Sequence, residues 1–219
     1  MTAAIIFDLD GTLLDTSAGI FHSVRYAEKE LGLTPIPEAD LKKFVGPPPK
    51  EMYREIYGLN EQKALAAAKK HREYGASRAV YEAKVYDGME EVLCRLRQEG
   101  FKLGVATLKK QSIAEAVLKN FSLYAYFDQI VGMDEDESYT KCMTIQKAMK
   151  NMSAQKAVIV GDSLYDFMGA QEAGTAFIGV LYGFGFKEGE SYPFKSISMP
   201  AELPALLIPE KETSGEIYG

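Results

Sequence analysis

The stretch Ala4-Ile5-Ile6-Phe7-Asp8-Leu9-Asp10-Gly11-Thr12 decides the fold. Its apolar half is typical of a strand that is buried on both faces, as in a parallel sheet. Its polar half puts two carboxylates directly after the strand, followed by a turn dipeptide. Taken alone, the acidic pair fits a reactive site or a solvated turn equally well, so its meaning depends on the rest of the chain.

Similar apolar runs recur downstream and alternate with helical patterns. The predicted strands are Ala4–Phe7, Leu103–Ala106, Gln129–Val131, Ala157–Val160 and Phe177–Val180. The predicted helices are Gly88–Gln98, Ser112–Lys119, Cys142–Met149 and Leu164–Glu172. This alternation predicts an α/β fold with a doubly wound parallel sheet, in which ligands bind at the carboxyl ends of the strands.

Residues 16–84 interrupt the alternation, because they contain helical patterns and proline-rich turns but no convincing strand. We therefore predict an α/β core formed by residues 1–15 and 85–219, with a helical domain, residues 16–84, inserted after the first strand. The tyrosines of the insertion are expected to form a small core rather than a substrate pocket. They are Tyr53, Tyr57, Tyr74 and Tyr81. The polar tail, residues 209–219, is expected to be loosely held.

The composition of the 219 residues, 47% hydrophobic and 26% charged, is that of a globular protein. The net charge is −6, and we see no basic stripe of the kind that nucleic-acid binding requires. Local cations in a pocket can still bind a small anion. The first residues lack the basic leader and apolar segment typical of a signal peptide, so none is expected, and no apolar window approaches membrane-spanning length. Cys94 and Cys142 have neither metal-site nor disulfide spacing, which predicts a cytoplasmic protein. Cys94 is expected in the core.

A second acidic motif, Gly161-Asp162-Ser163-Leu164-Tyr165-Asp166, also follows a predicted buried strand. If the two strands are neighbours, Asp8 and Asp162 converge, and their repulsion calls for a cation. Carboxylate and carbonyl oxygens are the ligands that Mg²⁺ prefers, so the expected cofactor is Mg²⁺. Ser163 and Asp166 also match a capping box, which gives Asp166 a supporting role.

Two further residues are candidates for phosphate binding. Thr107 follows the strand Leu103–Ala106, so its hydroxyl and nearby amides can face the same edge, although most such threonines are caps or strand ends. Lys141 begins a predicted helix, directly after the expected N-cap Thr140. A cation at this end of a helix is unfavourable with respect to the helix dipole, so helix stability does not explain the choice of lysine. It is either a surface partner of the acidic run 134–137 or a fixed charge for a phosphoryl group.

These motifs, taken in order, resemble those of the haloacid dehalogenase superfamily of phosphotransferases with an aspartate nucleophile. The resemblance covers essentially the whole chain. The helical insertion is similar to the small cap domain of that superfamily. The segments Val45-Gly46-Pro47-Pro48 and Gly183-Phe184-Gly185 resemble the phosphoglycolate phosphatase-like branch.

The resemblance implies a Mg²⁺-dependent phosphatase in which Asp8 attacks phosphorus and Asp10 protonates the leaving oxygen. Thr107 and Lys141 would hold the phosphoryl oxygens, and Gly11 would also bind the phosphate or substrate. The metal would be bound by Asp8, the Asp10 backbone carbonyl and Asp162. The cap would close over the substrate on hinges near residues 16 and 84.

Some residues depart from the pattern of the branch. Cys142 follows Lys141 where proline is usual, and Leu108 is bulkier than expected. A phosphomutase of this superfamily usually has a histidine ten residues after the second aspartate. That position is Ile20, and His22 lies about 200° further around a helix.

The substrate stays open at this stage. The expected partner is a small phosphorylated metabolite, with phosphoglycolate suggested only by the branch and a nucleotidase or pyrophosphatase as alternatives. A non-catalytic phosphate-binding protein is disfavoured because both Asp8 and Asp10 are kept. Arg72, Lys50 and Lys109 are candidate contacts to the leaving group, although a solvated position explains each of them more simply.

Overall fold

The computed structural model of the protein describes residues 3–136 and 138–208, so Glu137 and the polar tail lie outside the described residues. The strands are β1 Ala3–Phe7, β2 Leu14–Asp15, β3 Lys84–Val85, β4 Lys102–Lys110, β5 Gln129–Met133, β6 Lys156–Gly161, β7 Ala176–Val180 and β8 Lys195–Ile197. The α-helices are α1 Ser17–Leu31, α2 Glu38–Leu41, α3 Pro49–Tyr57, α4 Glu61–Ser77, α5 Met89–Gln98, α6 Gln111–Asn120, α7 Lys141–Asn151, α8 Leu164–Glu172 and α9 Leu203–Leu207.

The main sheet has six strands in the order β5-β4-β1-β6-β7-β8, and every neighbouring pair is parallel. The predicted fold class, a doubly wound parallel α/β sheet, is confirmed. After β1 the chain adds β4 and β5 on one side of that strand, and then β6, β7 and β8 on the other side. The strand order thus reverses at β1, and a ligand crevice is expected at the carboxyl end of that strand.

The two faces of β1 explain why its sequence is apolar throughout. Ile5 and Phe7 belong to a cluster with buried side chains of α5, α6 and α9. Ala4 and Ile6 face the other way, toward α7 and α8. Full burial of a large apolar side chain stabilises the fold by roughly 1.5–3 kcal/mol, so this strand is firmly anchored between two helical layers.

Helices α1 to α4 build a second apolar core of their own. Small residues of α4, such as Ala64 and Ala68, let it pack closely on α1, and Tyr53 of α3 is fully buried in the same core. Before and after these helices, β2 and β3 pair antiparallel, which holds the entering and leaving segments side by side. The proposed domain boundaries fall at this pair, and the division into domains stays a prediction.

The structure corrects three sequence expectations. Cys94 is exposed, because it lies one residue from Leu93 and two from Leu96 and so points away from the buried face of α5. Tyr81 is also exposed and takes no part in the core of the insertion. Strand β4 continues past Thr107 to Lys110, with a shift of register after Ala106. None of the described helices combines the length and the apolar character needed to cross a membrane.

Candidate active site

Acidic side chains gather where β1 and β6 end. The two strands are adjacent, Phe7 pairs with Val160, and the Asp8 amide donates to the Val160 carbonyl at 2.9 Å. Asp8 and Asp162 therefore meet at one edge of the sheet. Together with Asp166 they place carboxylate oxygens within 4.8 Å of one another, and all three residues are buried.

Lys141 lies at the start of α7 and points into this acidic group. Its ammonium is 2.5 Å from Asp8 Oδ1 and 2.5 Å from Asp166 Oδ1, and the residue is 5% exposed. Such burial rules out the alternative of a surface ion pair with the acidic run. Thr140 caps α7 as predicted, by accepting a hydrogen bond from the Met143 amide.

The electrostatics of the group are unbalanced. The pKa of Asp8 is raised overall to about 7, because burial, Asp166 and Asp10 raise it by more than Lys141 lowers it. Burial, Asp166 and Asp8 together raise the pKa of Asp162 well above its ordinary value. Burial lowers the pKa of Lys141, but the adjacent Asp166 and Asp8 outweigh burial and raise it overall. A single ammonium does not offset three carboxylates, and this donor set of hard oxygens fits Mg²⁺.

Two local structures hold Asp162 and Asp166 in place. Ser163 and Asp166 form the predicted capping box at the start of α8, in which Asp166 Oδ2 accepts from the Ser163 amide and hydroxyl at 3.0 and 2.6 Å. Asp162 Oδ2 accepts from the Phe184 amide at 2.7 Å. Gly183 is required beside it, because a Cβ there would lie 2.3 Å from the Asp162 Cβ.

Asp10 is buried like Asp8 but has different partners. Its Oδ1 accepts from the Thr16 hydroxyl at 2.5 Å, and its Oδ2 is 3.0 Å from the Lys109 ammonium. The Asp10 carboxylate thus faces the helical insertion, and it is not one of the three carboxylates grouped with Lys141.

Thr107 and Gly11 lie at the same edge of the sheet. Thr107 is 1% exposed, and its hydroxyl accepts from the Lys109 amide at 3.2 Å. Gly11 has a positive φ of 83°, and a Cβ there would lie 2.4 Å from Asp162 Oδ2, so only glycine allows this approach. The Gly11 amide donates to the Leu14 carbonyl at 2.8 Å.

The candidate leaving-group contacts lie around two cavities under the insertion. Arg72 and Lys109 line a cavity next to Asp10. Lys50 lines the other cavity, beside Lys141, and its ammonium is 3.1 Å from Glu61 Oε1. His22, the histidine weighed for a phosphomutase, is bonded through Nδ1 to Glu82 at 2.9 Å.

Sequence reasoning missed two contacts of the site. It did not predict the ion pair of Lys109 with Asp10, which are 99 residues apart, or the hydrogen bond from the Phe184 amide to Asp162. No periodicity or spacing signals either contact. In the sequence, Gly183-Phe184-Gly185 is marked only by its resemblance to a branch of the superfamily. The structure shows why glycine stands at both ends, because a Cβ at either position would collide with Asp162.

The family model of haloacid dehalogenase-like hydrolases matches residues 5–180, a span that holds all the candidate catalytic and metal residues. The chain belongs to this family. Relatives of moderate sequence identity over most of the chain are named as phosphatases, which confirms the predicted enzyme class, a hydrolase of the phosphatase type. The acidic group at the strand tips is thus the candidate active site of a haloacid dehalogenase-like enzyme.

The names of individual relatives give different activities. A 5′-nucleotidase from Pseudomonas aeruginosa is 35% identical over 205 residues, 92% of this chain and 92% of that protein. The tyrosine-protein kinase PtkA from Mycobacterium tuberculosis is 35% identical over 185 residues, 83% of this chain and 62% of that protein. The crystal structure of a predicted phosphatase from Clostridium acetobutylicum is 36% identical with a TM-score of 0.86, covering 94% of this chain and 98% of that one.

Proposed function

We propose that this enzyme is a Mg²⁺-dependent phosphatase that hydrolyses small phosphate monoesters through a phosphorylated Asp8. The observation that carries the proposal is that two nearby carboxylates, those of Asp8 and Asp10, have different partners. Asp8 bonds to Lys141 within an acidic group, whereas Asp10 is held by Thr16 and Lys109. Neighbouring carboxylates in different environments can take different chemical roles.

In the proposed reaction, an Asp8 oxygen forms a bond to phosphorus while the bond from phosphorus to the leaving oxygen breaks. Asp10 gives its proton to that leaving oxygen. Asp10 then takes a proton from water as the water oxygen attacks phosphorus, and this releases Asp8 and inorganic phosphate. Lys141 and the Thr107 hydroxyl bind the phosphoryl oxygens throughout, which is the main task of a protein in phosphoryl transfer.

The residues that would hold Mg²⁺ are Asp8, the Asp10 backbone carbonyl and Asp162. Bound there, the ion supplies positive charge to the phosphoryl oxygens. Asp166 supports the site by bonding to Lys141 and by closing the start of α8. The cap helices would cover the substrate and exclude water, bending near the β2–β3 pair.

A nucleotidase is the second candidate, favoured by the relative from Pseudomonas aeruginosa. It would use the same chemistry with a nucleoside as the leaving group. With Cys94 and Cys142 both free, we also propose a reducing, cytoplasmic location. The proposed partners are small phosphorylated metabolites rather than nucleic acid or membranes, given the net charge of −6.

The test is hydrolysis of an aryl phosphate by the wild type and by Asp8→Asn, with Mg²⁺ and with a chelator. We expect turnover only with the metal, and a loss of about 1,000-fold or more in Asp8→Asn because the nucleophile is removed. Asp87→Asn is the matched control, since that side chain is 90% exposed and pairs with Lys84. Metal-independent turnover, or an Asp8→Asn variant as active as the control, would reject the proposal.

A further inference from the structure

The cavity next to Asp10, which we call the leaving-group cavity, is small and mostly apolar. Its volume is about 70 Å³, well below the roughly 300–1,000 Å³ of pockets for drug-sized ligands. Apolar side chains from the insertion and the core form most of its wall. They include Ile20, Phe44, Val80, Leu108, Ile113 and Met133.

The charged residues of this wall are mainly cationic. Lys109, Lys110 and Arg72 line the cavity, and Asp10 is the one carboxylate among its described lining residues. Lys109 is 17% exposed in its side chain and pairs with Asp10, while Lys110 pairs with Glu135 at the surface. Because low-dielectric walls strengthen a local field, an anion in this cavity would be attracted despite the negative net charge.

The neutral polar side chains of the cavity already have partners. The Thr16 hydroxyl donates to Asp10, and the Ser23 hydroxyl donates to the Gly19 carbonyl at 2.7 Å. His71 Nδ1 lies 3.5 Å from the Tyr53 hydroxyl. Burial, Lys109 and Arg72 lower the pKa of His71 to about 3, so the imidazole is neutral at physiological pH. The cavity thus offers few unengaged groups for the hydroxyls of a sugar.

We propose that Lys109 determines specificity by binding an anionic group, a carboxylate or a second phosphate, on a small leaving group. The inference rests on the proposed function, because it concerns the leaving group of the same reaction. In the structure, Thr16 and Lys109 hold both oxygens of Asp10. An anion in the leaving-group cavity competes with Asp10 for the Lys109 ammonium. That exchange frees the Asp10 side chain to take a proton from solvent, turn to the leaving oxygen and give the proton to it.

A substrate whose leaving group is neutral cannot take Lys109 away from Asp10. The proposal therefore links the charge of the leaving group to the position of the residue that protonates it. A nucleoside monophosphate, whose leaving group is neutral and large, is disfavoured on both counts. Lys109 is a binding residue for the leaving group in this account and a positioning residue for Asp10.

The experiment compares kcat/KM for 2-phosphoglycolate, 2-hydroxyethyl phosphate, pyrophosphate and adenosine 5′-monophosphate. The first two substrates differ mainly in the charge of a small leaving group. Pyrophosphate tests whether a phosphate can serve as the anionic group. The nucleotide tests the alternative function, that of a nucleotidase. We expect wild type to prefer an anionic leaving group. Lys109→Met should lower that preference about 10- to 100-fold, the value of a charge-assisted hydrogen bond. Lys109→Arg should restore most of it.

Lys119→Met is the matched control, because Lys119 lies on α6 and pairs with Glu115 at the surface. It should keep the wild-type preference. A wild type that prefers 2-hydroxyethyl phosphate or the nucleotide would overturn the inference even if Lys109→Met failed to fold. An unchanged preference in a folded Lys109→Met would overturn it too. Failure of the proposed function itself would give a different result, because hydrolysis of these esters would then not depend on Asp8.

Discussion

Lys141 shows how a single side chain can keep an acidic site folded. Its ammonium contacts both Asp8 and Asp166, and all three side chains are at least nine-tenths buried. Removing one partner of a buried ion pair is costly, because the remaining charge is left without compensation. Before metal or substrate binds, Lys141 is thus the residue that offsets the carboxylates at the strand tips.

Lys141→Met should therefore destabilise the metal-free protein by about 3–5 kcal/mol. Mg²⁺ should recover part of this loss, since it binds the same carboxylates in the folded state only. Urea unfolding with and without Mg²⁺ measures both effects. Lys43→Met is the control, because Lys43 makes an exposed pair with Asp40 at 2.7 Å. Equal stability of the two variants without metal would contradict this role.

At the scale of elements, the segment 183–185 supports the end of β6. The Phe184 amide bonds to Asp162, while the Phe184 side chain packs against the core of the insertion. Cβ atoms at Gly183 and Gly185 would lie 2.3 and 2.5 Å from atoms of Asp162. One short segment therefore fixes a candidate metal ligand and contacts the apolar core of helices α1 to α4.

Gly183→Ala should weaken Mg²⁺ binding about 10- to 100-fold, as is typical when a residue supporting a ligand is changed. The added methyl group forces Asp162 to move, whatever the backbone conformation. Calorimetric titration with Mg²⁺ measures the affinity. Gly75→Ala serves as the control, because its Cβ would have its nearest neighbour at 3.9 Å. Wild-type affinity in Gly183→Ala would show that Asp162 does not need this support.

The elements that the sequence predicted are those with strong local patterns. Strands β1 and β6 are continuous apolar runs, and the capping residues Thr140 and Ser163 mark their helices by local hydrogen bonds. β8 was missed because its three residues, two of them exposed, carry no apolar run. The pairing of Lys109 with Asp10 depends on how segments 99 residues apart come together in the fold, which no local pattern encodes.

At the scale of the whole molecule, the buried His71 couples stability to pH. The folded state holds its pKa at about 3, below the ordinary value of 6.5. Between these values the unfolded chain binds a proton that the folded chain does not. The stabilising contribution of neutral His71 is therefore complete above pH 6.5 and is lost progressively as the pH falls toward 3.

On lowering the pH from 7 to 5, His71→Gln should lose about 2 kcal/mol less stability than wild type. Chemical unfolding at the two pH values provides the comparison. The chain has two histidines, and His22, with 59% of its side chain exposed, is the matched control. A pH dependence that His71→Gln leaves unchanged would mean that this imidazole is not held neutral.

The central claim, that Asp8 is the nucleophile, is tested most directly by trapping its phosphorylated form. Asp10→Asn should react with an aryl phosphate, whose leaving group needs no acid, but should hydrolyse the enzyme intermediate slowly. Acid quenching and peptide mass spectrometry should then find one phosphoryl group on Asp8, and none in Asp8→Asn. Release of phosphate with no phosphorylated Asp8 at any time, or a phosphoryl group on another residue, would contradict the account.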